Sequence, residues 1–343
     1  MSKTILVTGA TGKQGRALID TLGRSSSADR EDQTQSPDHA FRVLALTRQT
    51  SSPGAQRLAE EEHVEVLEGD LDSPASIRKI FEDRKDKGGI WGVYCVLAFP
   101  GLGANADGEE RQGKMMADLA LEYGVSTFIY SSAERGGDKN DENEKLSGRA
   151  KVSIERHIKS LSEKGLSWTI MRPGFFLDNF GGFIGSITAA VMANGLKPDT
   201  TLGVIDSVDI GCVAAAIFRN PDKFKHKELV VIGDVLTMSQ LQEVYKTTVG
   251  HPLPAIPSFL ARMLILMNKS TRDLIKQIGM VHSARACGEH EDFPAQLGLT
   301  REAYPEIKSV RAWALAQKEA PGKDNTKDGW NNISLWKLLT GKM

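Results

Sequence analysis

The sequence predicts an α/β protein with a doubly wound parallel sheet, and two observations support this prediction. First, short apolar runs rich in β-branched residues alternate with segments whose apolar residues recur at helical spacing. Second, a glycine-rich loop stands at the junction of the first predicted strand and the first predicted helix. The chain has 343 residues, enough for one large domain or two small ones.

The first strand, Thr4–Thr8, leads into the glycine loop, whose spacing is G-x-x-G-x-x-G. Gly9 allows the angles of a tight turn, Gly12 lets the main chain approach a pyrophosphate, and Gly15 lets the helix pack on the strand. The helix N-terminus then offers N–H groups to phosphates. This context predicts dinucleotide binding and hence a Rossmann-type sheet; the alternative is a glycine turn that serves packing alone. The expected cofactor contacts in the loop are Gly9, Thr11, Gly12, Lys13, Gln14 and Gly15.

The second strand, Phe41–Thr47, is followed by Arg48. An NAD-preferring site typically has Asp or Glu at this position, which accepts hydrogen bonds from the ribose hydroxyls. Arg48 instead suits a 2′-phosphate, and Lys13 would add positive charge to the same region. We therefore expect NADP(H) in preference to NAD(H). The alternative interpretation of Arg48 is a solvated surface arginine.

The third strand, His63–Gly69, ends at Asp70 and Leu71. These two residues are expected to contact the adenine end of the cofactor. Capping of the next helix by Asp72 or Ser73 is an equally good interpretation of this polar segment.

Further strands are predicted at Gly92–Ala98, Val125–Tyr130, Leu166–Pro173 and Glu228–Ile232. Among the helices between and after them, Gly165 is expected to stop one, Asp209 to cap another, and Thr237–Gln240 to form a capping box. The expected domains are a dinucleotide-binding core (1–175, its sheet completed by about 200–233), a smaller, mostly helical substrate portion (176–200 and 234–320) and a peripheral tail (321–343). Residues 23–37 are polar and predict an exposed insertion.

The segment Phe175–Phe183 is rich in aromatic residues and glycine. Two interpretations are equally supported: a loop that closes over a pocket, and an aromatic cluster that joins two subdomains.

Composition excludes several classes of protein. The formal net charge is -1, with 43 Lys+Arg against 44 Asp+Glu, so no bulk basic surface for nucleic acid is expected. Three scattered cysteines provide neither a disulfide framework nor metal-ligand spacing, so no metal is expected. No signal sequence or membrane-spanning run is evident. We therefore expect a cytoplasmic protein with a small-molecule substrate and no membrane partner; nuclear entry cannot be read from the sequence.

Several motifs together resemble the NmrA-like family, an atypical branch of the extended short-chain dehydrogenases. The motifs, in chain order, are Ile5–Gly15, Arg48, Gly69–Asp70, Tyr130–Ser132, Lys151–Glu155 and Met171–Phe180. The resemblance implies a Rossmann domain with a small mixed subdomain and NADP(H) in the cleft. Some members resemble reductases of quinones, phenolics or other small molecules, often in fungal secondary metabolism. Others resemble redox sensors that regulate transcription through a protein partner.

The resemblance also locates candidate catalytic residues. Short-chain dehydrogenases use a Tyr-x-x-x-Lys pair, and Lys151 stands where that lysine would lie, whereas Ser147 replaces the tyrosine. Lys151 would orient the cofactor ribose, and it is a candidate acid; the alternative is a lysine that only binds ribose or lies on the surface. Ser131 or Ser132 would hydrogen-bond a substrate oxygen.

Three functions remain open from the sequence. The first is an NADPH-dependent oxidoreductase acting on a small carbonyl, quinone, imine or enone. The second is a non-catalytic NADP(H) sensor that acts through a protein partner, which the missing tyrosine favours. The third is non-redox chemistry on the same fold, which would proceed without dinucleotide.

Overall fold

The computed structural model describes residues 2–24 and 41–319. Most of the predicted insertion and all of the predicted tail lie outside these residues. The strands are β1 (Lys3–Val7), β2 (Phe41–Thr47), β3 (Val64–Glu68), β4 (Gly92–Val96), β5 (Thr127–Ser131), β6 (Trp168–Pro173), β7 (Phe175–Phe176), β8 (Thr201–Ile205), β9 (Lys227–Val231) and β10 (Asp234–Thr237).

The helices alternate with these strands in the first half of the chain and predominate in the second half. They are α1 (Lys13–Gly23), α2 (Pro53–Ala59), α3 (Pro74–Lys85), α4 (Asp107–Glu122), α5 (Ser147–Ser160), α6 (Gly182–Gly195), α7 (Ser207–Arg219), α8 (Pro221–Phe224), α9 (Met238–Val249), α10 (Ser258–Met267), α11 (Lys269–Ala286), α12 (Phe293–Ala303) and α13 (Val310–Glu319). Short 3-10 helices lie at Asp138–Asn143, Leu161–Lys164 and Leu177–Phe180.

Seven parallel strands form the main sheet in the order β3-β2-β1-β4-β5-β6-β9. The predicted doubly wound fold is therefore confirmed. A second, three-stranded sheet has the order β10-β8-β7 and contains both parallel and antiparallel pairs. In the main sheet Val7 of β1 is aligned with Ala45 of β2 and Tyr94 of β4.

Each face of the main sheet is covered by helices. On one face α1 and α7 pack together, and Leu18 and Phe218 are completely buried there. On the other face α3, α4 and α5 bury residues such as Phe81, Met116 and Ile154. Burial of each such side chain stabilises the fold by roughly 1.5–3 kcal/mol. The strands are thus buried on both faces, which explains their continuous apolar sequences.

Helix boundaries follow local capping signals. Ser73 accepts a hydrogen bond from the N–H of Ser76, so it caps α3, and Pro74 follows at a position where no N–H is needed. The capping box of Thr237 and Gln240 is confirmed at the start of α9. These signals lie within four residues of chain, so the sequence alone reveals them.

The predicted cap at Asp209 is wrong. The residue that caps α7 is Asp206, whose carboxylate accepts from the N–H of Val208 at 2.9 Å. Asp209 lies inside the first turn, completely buried, and accepts from the N–H of Lys308 at 2.6 Å. Burial raises the pKa of Asp209, although the contacts with Lys308 oppose that shift. Asp209 therefore ties the loop before α13 to α7.

The small sheet is joined to the main sheet through the aromatic segment. Phe176 packs against the core of the main sheet, whereas its neighbour Phe175 packs in the small-sheet core, 5.5 Å from the ring centre of Phe180. Alternate side chains of a strand point to opposite faces, so two consecutive phenylalanines reach two cores. This arrangement favours the second interpretation of the segment, an aromatic cluster between subdomains.

Two further findings concern the described residues only. No helix among them is long and apolar enough to cross a membrane. Within the same ranges, no group of three or more His, Cys, Asp or Glu side chains is arranged to hold a metal ion.

Candidate functional site

A crevice opens where the chain direction across the sheet reverses. From β1 the chain proceeds to β2 on one side, and β4 lies on the other side, so the loops after β1 and β4 diverge. Ligands of open α/β sheets bind at such a switch point. Below it, the Thr8 hydroxyl donates to the carbonyl of Val96 at 2.7 Å and accepts from its N–H at 2.8 Å. These two hydrogen bonds hold the ends of β1 and β4 together, and the two ends form the floor of the crevice.

The glycine loop has the geometry predicted for it. Gly9 has φ +56°, a left-handed conformation that glycine adopts without strain. A Cβ atom at Gly15 would lie 2.4 Å from the Gly9 carbonyl oxygen, so only glycine allows α1 to approach the strand this closely. Gly12 has φ -80°, which any residue tolerates, and it is the N-cap of α1. Its role is therefore to leave space in front of the helix N-terminus, where N–H groups have no helical acceptor.

Two polar residues of the loop, Lys13 and Gln14, contact side chains elsewhere in the protein. The Lys13 ammonium group pairs with Asp178 at 2.6 Å, in the 3-10 helix between the two sheets. Lys13 does not line the cavity beside Arg48, and a shared role of the two charges at a 2′-phosphate stays a prediction. The amide oxygen of Gln14 accepts hydrogen bonds from Tyr94 at 3.0 Å and Ser131 at 2.7 Å. Gln14 thus fixes α1 to the crevice floor.

Other predicted cofactor contacts lie around a cavity of about 560 Å³ at the ends of β2 and β3. Arg48, Gly69 and Asp70 line it, together with Lys79 of α3. The Asp70 carboxylate accepts from the N–H of Asp72 at 3.0 Å, which holds the turn after β3. Two further predicted contacts lie outside this cavity: Leu71 packs against the helix-covered core, and exposed Thr11 lies beside Gly54 at the start of α2.

A buried cluster surrounds Lys151. Its ammonium group pairs with Glu109 of α4, and the other carboxylate oxygen of Glu109 accepts from Ser147 at 2.6 Å. The Glu109 side chain is 1% exposed and that of Lys151 is 17% exposed. Ser147 and Lys151 share one face of α5 because they are four residues apart. Glu109 was missed by sequence reasoning, since only the packing of α4 on α5 brings it to this position.

The chain that leads into this cluster is strained. Leu146 has φ +49°, which costs a non-glycine residue about 1–3 kcal/mol, and its side chain is exposed. Nearby, the buried carboxyl of Glu144 accepts from Gln277 of α11 at 2.8 Å. Burial raises the pKa of Glu144, although the bond from Gln277 opposes the shift. The turn before α5 therefore places an exposed apolar group and a carboxyl next to Ser147.

The two predicted serines have different environments. Ser131, at the end of β5, lies at the crevice floor and donates to Gln14. Ser132 points away from that floor, because its hydroxyl donates to the buried carboxylate of Glu155. The structure therefore associates Ser131 with the glycine loop and Ser132 with a separate ion cluster. Whether either serine contacts a substrate stays a prediction.

The ion cluster is centred on Glu155 and joins α5 to β6. Its carboxylate pairs with Arg135 at 2.7 Å and with Arg172 at 2.7 Å. Arg135 also pairs with Asp141 at 2.6 Å, and Arg172 with Asp138 at 2.7 Å. Burial alone would raise the pKa of Glu155, but the two guanidinium groups lower it to about 2. The cluster fixes the start of the loop between β5 and α5, which leads to Lys151.

This cluster predicts a loss of stability in acid. The folded-state pKa of Glu155 lies below its unfolded value, so the unfolded chain binds more protons between these values. We expect the free energy of unfolding to fall by roughly 3 kcal/mol, from this group alone, as the pH drops from about 4.5 to 2. Urea unfolding at a series of pH values measures this dependence.

The Glu155→Gln variant should be less stable at neutral pH and should show a shallower acid dependence than the parent protein. Glu142→Gln is the control, because Glu142 is an exposed carboxylate paired with Arg156. If both variants keep the full acid dependence of the parent, Glu155 is not its source.

Comparison with known proteins agrees with this architecture. The model of the NmrA-like family matches residues 1–314. The chain belongs to the NmrA-like family. Among the relatives of this NmrA-like protein is an NmrA-like family domain-containing oxidoreductase of Penicillium ochrochloron, 24% identical over 91% of this chain and 96% of the relative.

Solved structures share the fold of this NmrA-like protein. The transcriptional regulator NmrA, described as a negative regulator and crystallised with NADP, superposes with a TM-score of 0.65. It is 18% identical, with 94% of this chain and 98% of that chain covered. The triphenylmethane reductase of Citrobacter sp., complexed with NADP(H), has a TM-score of 0.63 at 16% identity and covers 92% and 99% of the two chains. One fold thus includes a regulator and a reductase.

Proposed function

We propose that this NmrA-like protein is an NADPH-dependent oxidoreductase that reduces a small carbonyl, quinone, imine or enone. The observation that carries the proposal is the Lys151–Glu109 pair, a proton-bearing group in a buried ion pair at the start of α5. Helices that follow parallel strands begin at the carboxyl edge of the sheet, so the pair and the glycine loop share one edge. The resemblance to the NmrA-like family extends the proposed acceptors to intermediates of fungal secondary metabolism, and the relative from Penicillium ochrochloron is named as an oxidoreductase.

The residues of the crevice fit an NADP(H) molecule. Gly12 leaves space before the N-terminus of α1, and a side chain there would fill it. Arg48 has no ion-pair or hydrogen-bond partner in the described part of the chain, so its guanidinium group is available to a 2′-phosphate. Bound NADPH would supply hydride. The solved relatives with NADP support the choice of cofactor.

The protein would then supply the proton. Lys151 holds a proton at Nζ and donates it to the acceptor oxygen or nitrogen as hydride reaches the neighbouring carbon. Glu109 holds the ammonium group in position through the ion pair. Ser147, bound to the same carboxylate, is too short to replace a tyrosine and serves to orient Glu109.

Arg48→Ala is expected to weaken NADPH binding selectively. Loss of a charged hydrogen bond to the 2′-phosphate costs roughly 1.5–3 kcal/mol, about 10- to 150-fold in affinity. NADH lacks that phosphate, so its affinity should barely change. Titration of both cofactors by fluorescence measures the ratio. Arg42→Ala is the control, because Arg42 lies on β2, the strand that leads to Arg48, but pairs with Glu65; an NADPH/NADH ratio unaltered by Arg48→Ala would refute the assignment.

The second candidate function is an NADP(H) sensor that acts through a protein partner. Two observations favour it: Ser147 replaces the usual tyrosine, and the Lys13–Asp178 pair connects the cofactor loop to the small-sheet region. Asp178 also accepts hydrogen bonds from Ser207 at the start of α7. A sensor requires a partner whose affinity differs between the NADPH-bound and NADP+-bound forms.

The proposed reaction is tested by NADPH consumption with a panel of quinones, aldehydes and enones, in parallel with Lys151→Ala. Turnover that falls in the variant supports a reductase that uses Lys151. Tight NADPH binding with no acceptor reduced would refute the reductase and favour the sensor. Turnover of a compound without dinucleotide would instead establish non-redox chemistry.

A further inference from the structure

Helix α10 carries an exposed apolar stripe on the face that points away from the protein. The stripe consists of residues on one side of the helix, since three of them are spaced by four and three positions and the fourth is adjacent to the last. These residues are Phe259, Met263, Leu266 and Met267. The exposed fractions are 69% for Phe259, 76% for Leu266 and 69% for Met267. Side chains exposed to this extent protrude from the surface. They therefore form a convex ridge and do not line a groove.

The opposite face of α10 is also apolar. Ala261 is completely buried against α6, in a small core with Ile187 and Val191. A helix with two apolar faces normally has both of them covered, because exposure of an apolar face to water is unfavourable. Phe183, at the start of α6, adds another exposed aromatic side chain. Within the described residues, α10 is covered on its Ala261 face, whereas the stripe on the other face stays exposed.

The charge around the stripe is positive. No Asp or Glu occurs at residues 183–196 or 251–272, whereas Arg262, Lys269 and Arg272 do. The first acidic residue beyond the stripe is Asp273. Because the whole chain has a net charge of -1, this basic border is a local feature. Apolar side chains bordered by Lys and Arg are the combination that binds anionic lipid surfaces.

We propose that the apolar stripe of α10 docks on an anionic lipid surface. A second copy of the chain would bring the same basic border against itself across a two-fold axis, which is repulsive. The segment 320–343 has four lysines and two aspartates, so it carries the same sign of charge as the stripe border. An acidic amphipathic peptide would match the charge, but such peptides bind in grooves and the stripe is a ridge.

The position of the stripe gives this contact a consequence for the crevice. Directly after α10, Ser270 lies against Gly103 in the loop that follows β4. That loop borders the crevice, so docking would bring the crevice mouth near the lipid surface. An apolar molecule dissolved in the lipid would then reach the crevice without crossing water. This lipid contact is independent of the proposed reaction and differs from the sequence-based expectation of no membrane partner.

Co-sedimentation of the full chain with vesicles tests the proposal. We expect binding to phosphatidylcholine vesicles that contain phosphatidylserine, weaker binding to phosphatidylcholine alone, and loss of binding as salt is raised. The double variant Leu266→Ser/Met267→Ser should lose binding, and Lys269→Glu should weaken it about tenfold or more. Leu315→Ser is the matched control, because Leu315 is a half-exposed leucine on α13 and lies outside the stripe. Circular dichroism and NADPH binding verify that the variants are folded.

Four results would overturn the proposal. The first would be that the full chain binds neither kind of vesicle, or that the double variant binds as well as the parent. The second would be a concentration-dependent dimer, seen by sedimentation, that the double variant abolishes. The third would be vesicle binding only after removal of residues 320–343, which would make that segment the occupant, and the fourth would be binding of a soluble acidic amphipathic peptide but of no vesicle.

Discussion

Gly12→Val is expected to abolish the binding of both NADPH and NADH while the protein remains folded. The φ angle of Gly12 is -80°, so valine introduces no backbone strain there. Its Cβ would lie 3.2 Å from the Gly9 carbonyl oxygen, so the loop would have to shift by a few tenths of an ångström. The valine methyl groups would fill the space before the first turn of α1, where a pyrophosphate would bind. We expect at least about a hundredfold loss of affinity, or about 2.7 kcal/mol, for both cofactors.

The matched control is Gly279→Val, because a Cβ at Gly279 would have no atom within 4 Å apart from its chain neighbours and its own helix backbone. Gly15→Ala provides a contrast, since its Cβ would lie 2.4 Å from the Gly9 carbonyl oxygen and force α1 away from the strand. That variant should lose stability as well as binding. If Gly12→Val keeps NADPH affinity within about threefold of the parent, the glycine loop is a packing turn and not a cofactor site.

Features encoded in short segments could be predicted from the sequence. The glycine loop, the strands of the main sheet and the capping box of Thr237 each depend on residues close together in the chain. Gly9 and Gly15 could be assigned separate roles because a tight turn and a close helix–strand contact each exclude a side chain. Local constraints of this kind are the same in any fold of this class.

Features that depend on packing between distant segments of the chain could not be predicted from the sequence. The sequence predicts Asp209 as the cap of α7, but the helix begins at Ser207 and its cap is Asp206. The contact of Asp209 is with Lys308, 99 residues away. The position of Ser132 directly after β5 predicts a hydrogen bond to substrate. Only the approach of α5 to β6 shows that its hydroxyl belongs to the cluster of Glu155.

Glu109 is the most consequential residue of this second kind. In the sequence it stands in an acidic run, Asp107–Glu110, at the start of α4, where negative charge is favourable for any helix. Nothing in that run distinguishes Glu109 from Glu110. The fold separates them: Glu109 points to Lys151, whereas the half-exposed Glu110 pairs with Lys114 at 2.6 Å. Ser147, which stands where related enzymes have a tyrosine, thus donates to the carboxylate of Glu109, a contact that only the structure reveals.

Lys151→Ala is expected to lower kcat of the proposed reductase by about 10²–10⁴-fold, the usual contribution of a positioned general acid. Glu109→Gln should lower kcat by a smaller factor, about tenfold or more, because Lys151 remains but loses the charge that orients it. Steady-state kinetics at saturating NADPH measures kcat, and a separate fluorescence titration measures cofactor affinity. A proton-donating lysine affects kcat at saturation, whereas a lysine that only binds ribose affects affinity.

The control for Glu109→Gln is Glu110→Gln, because the two neighbouring carboxylates on α4 have parallel contacts. Glu110 accepts from Ser153 at 2.6 Å and pairs with Lys114, just as Glu109 accepts from Ser147 and pairs with Lys151. Glu110→Gln therefore removes an ion pair and a hydrogen bond from the same helix without changing the contacts of Lys151. We expect Glu110→Gln to keep the parent kcat. If Lys151→Ala weakens NADPH binding but keeps kcat at saturation, Lys151 is a ribose ligand, and another group must supply the proton.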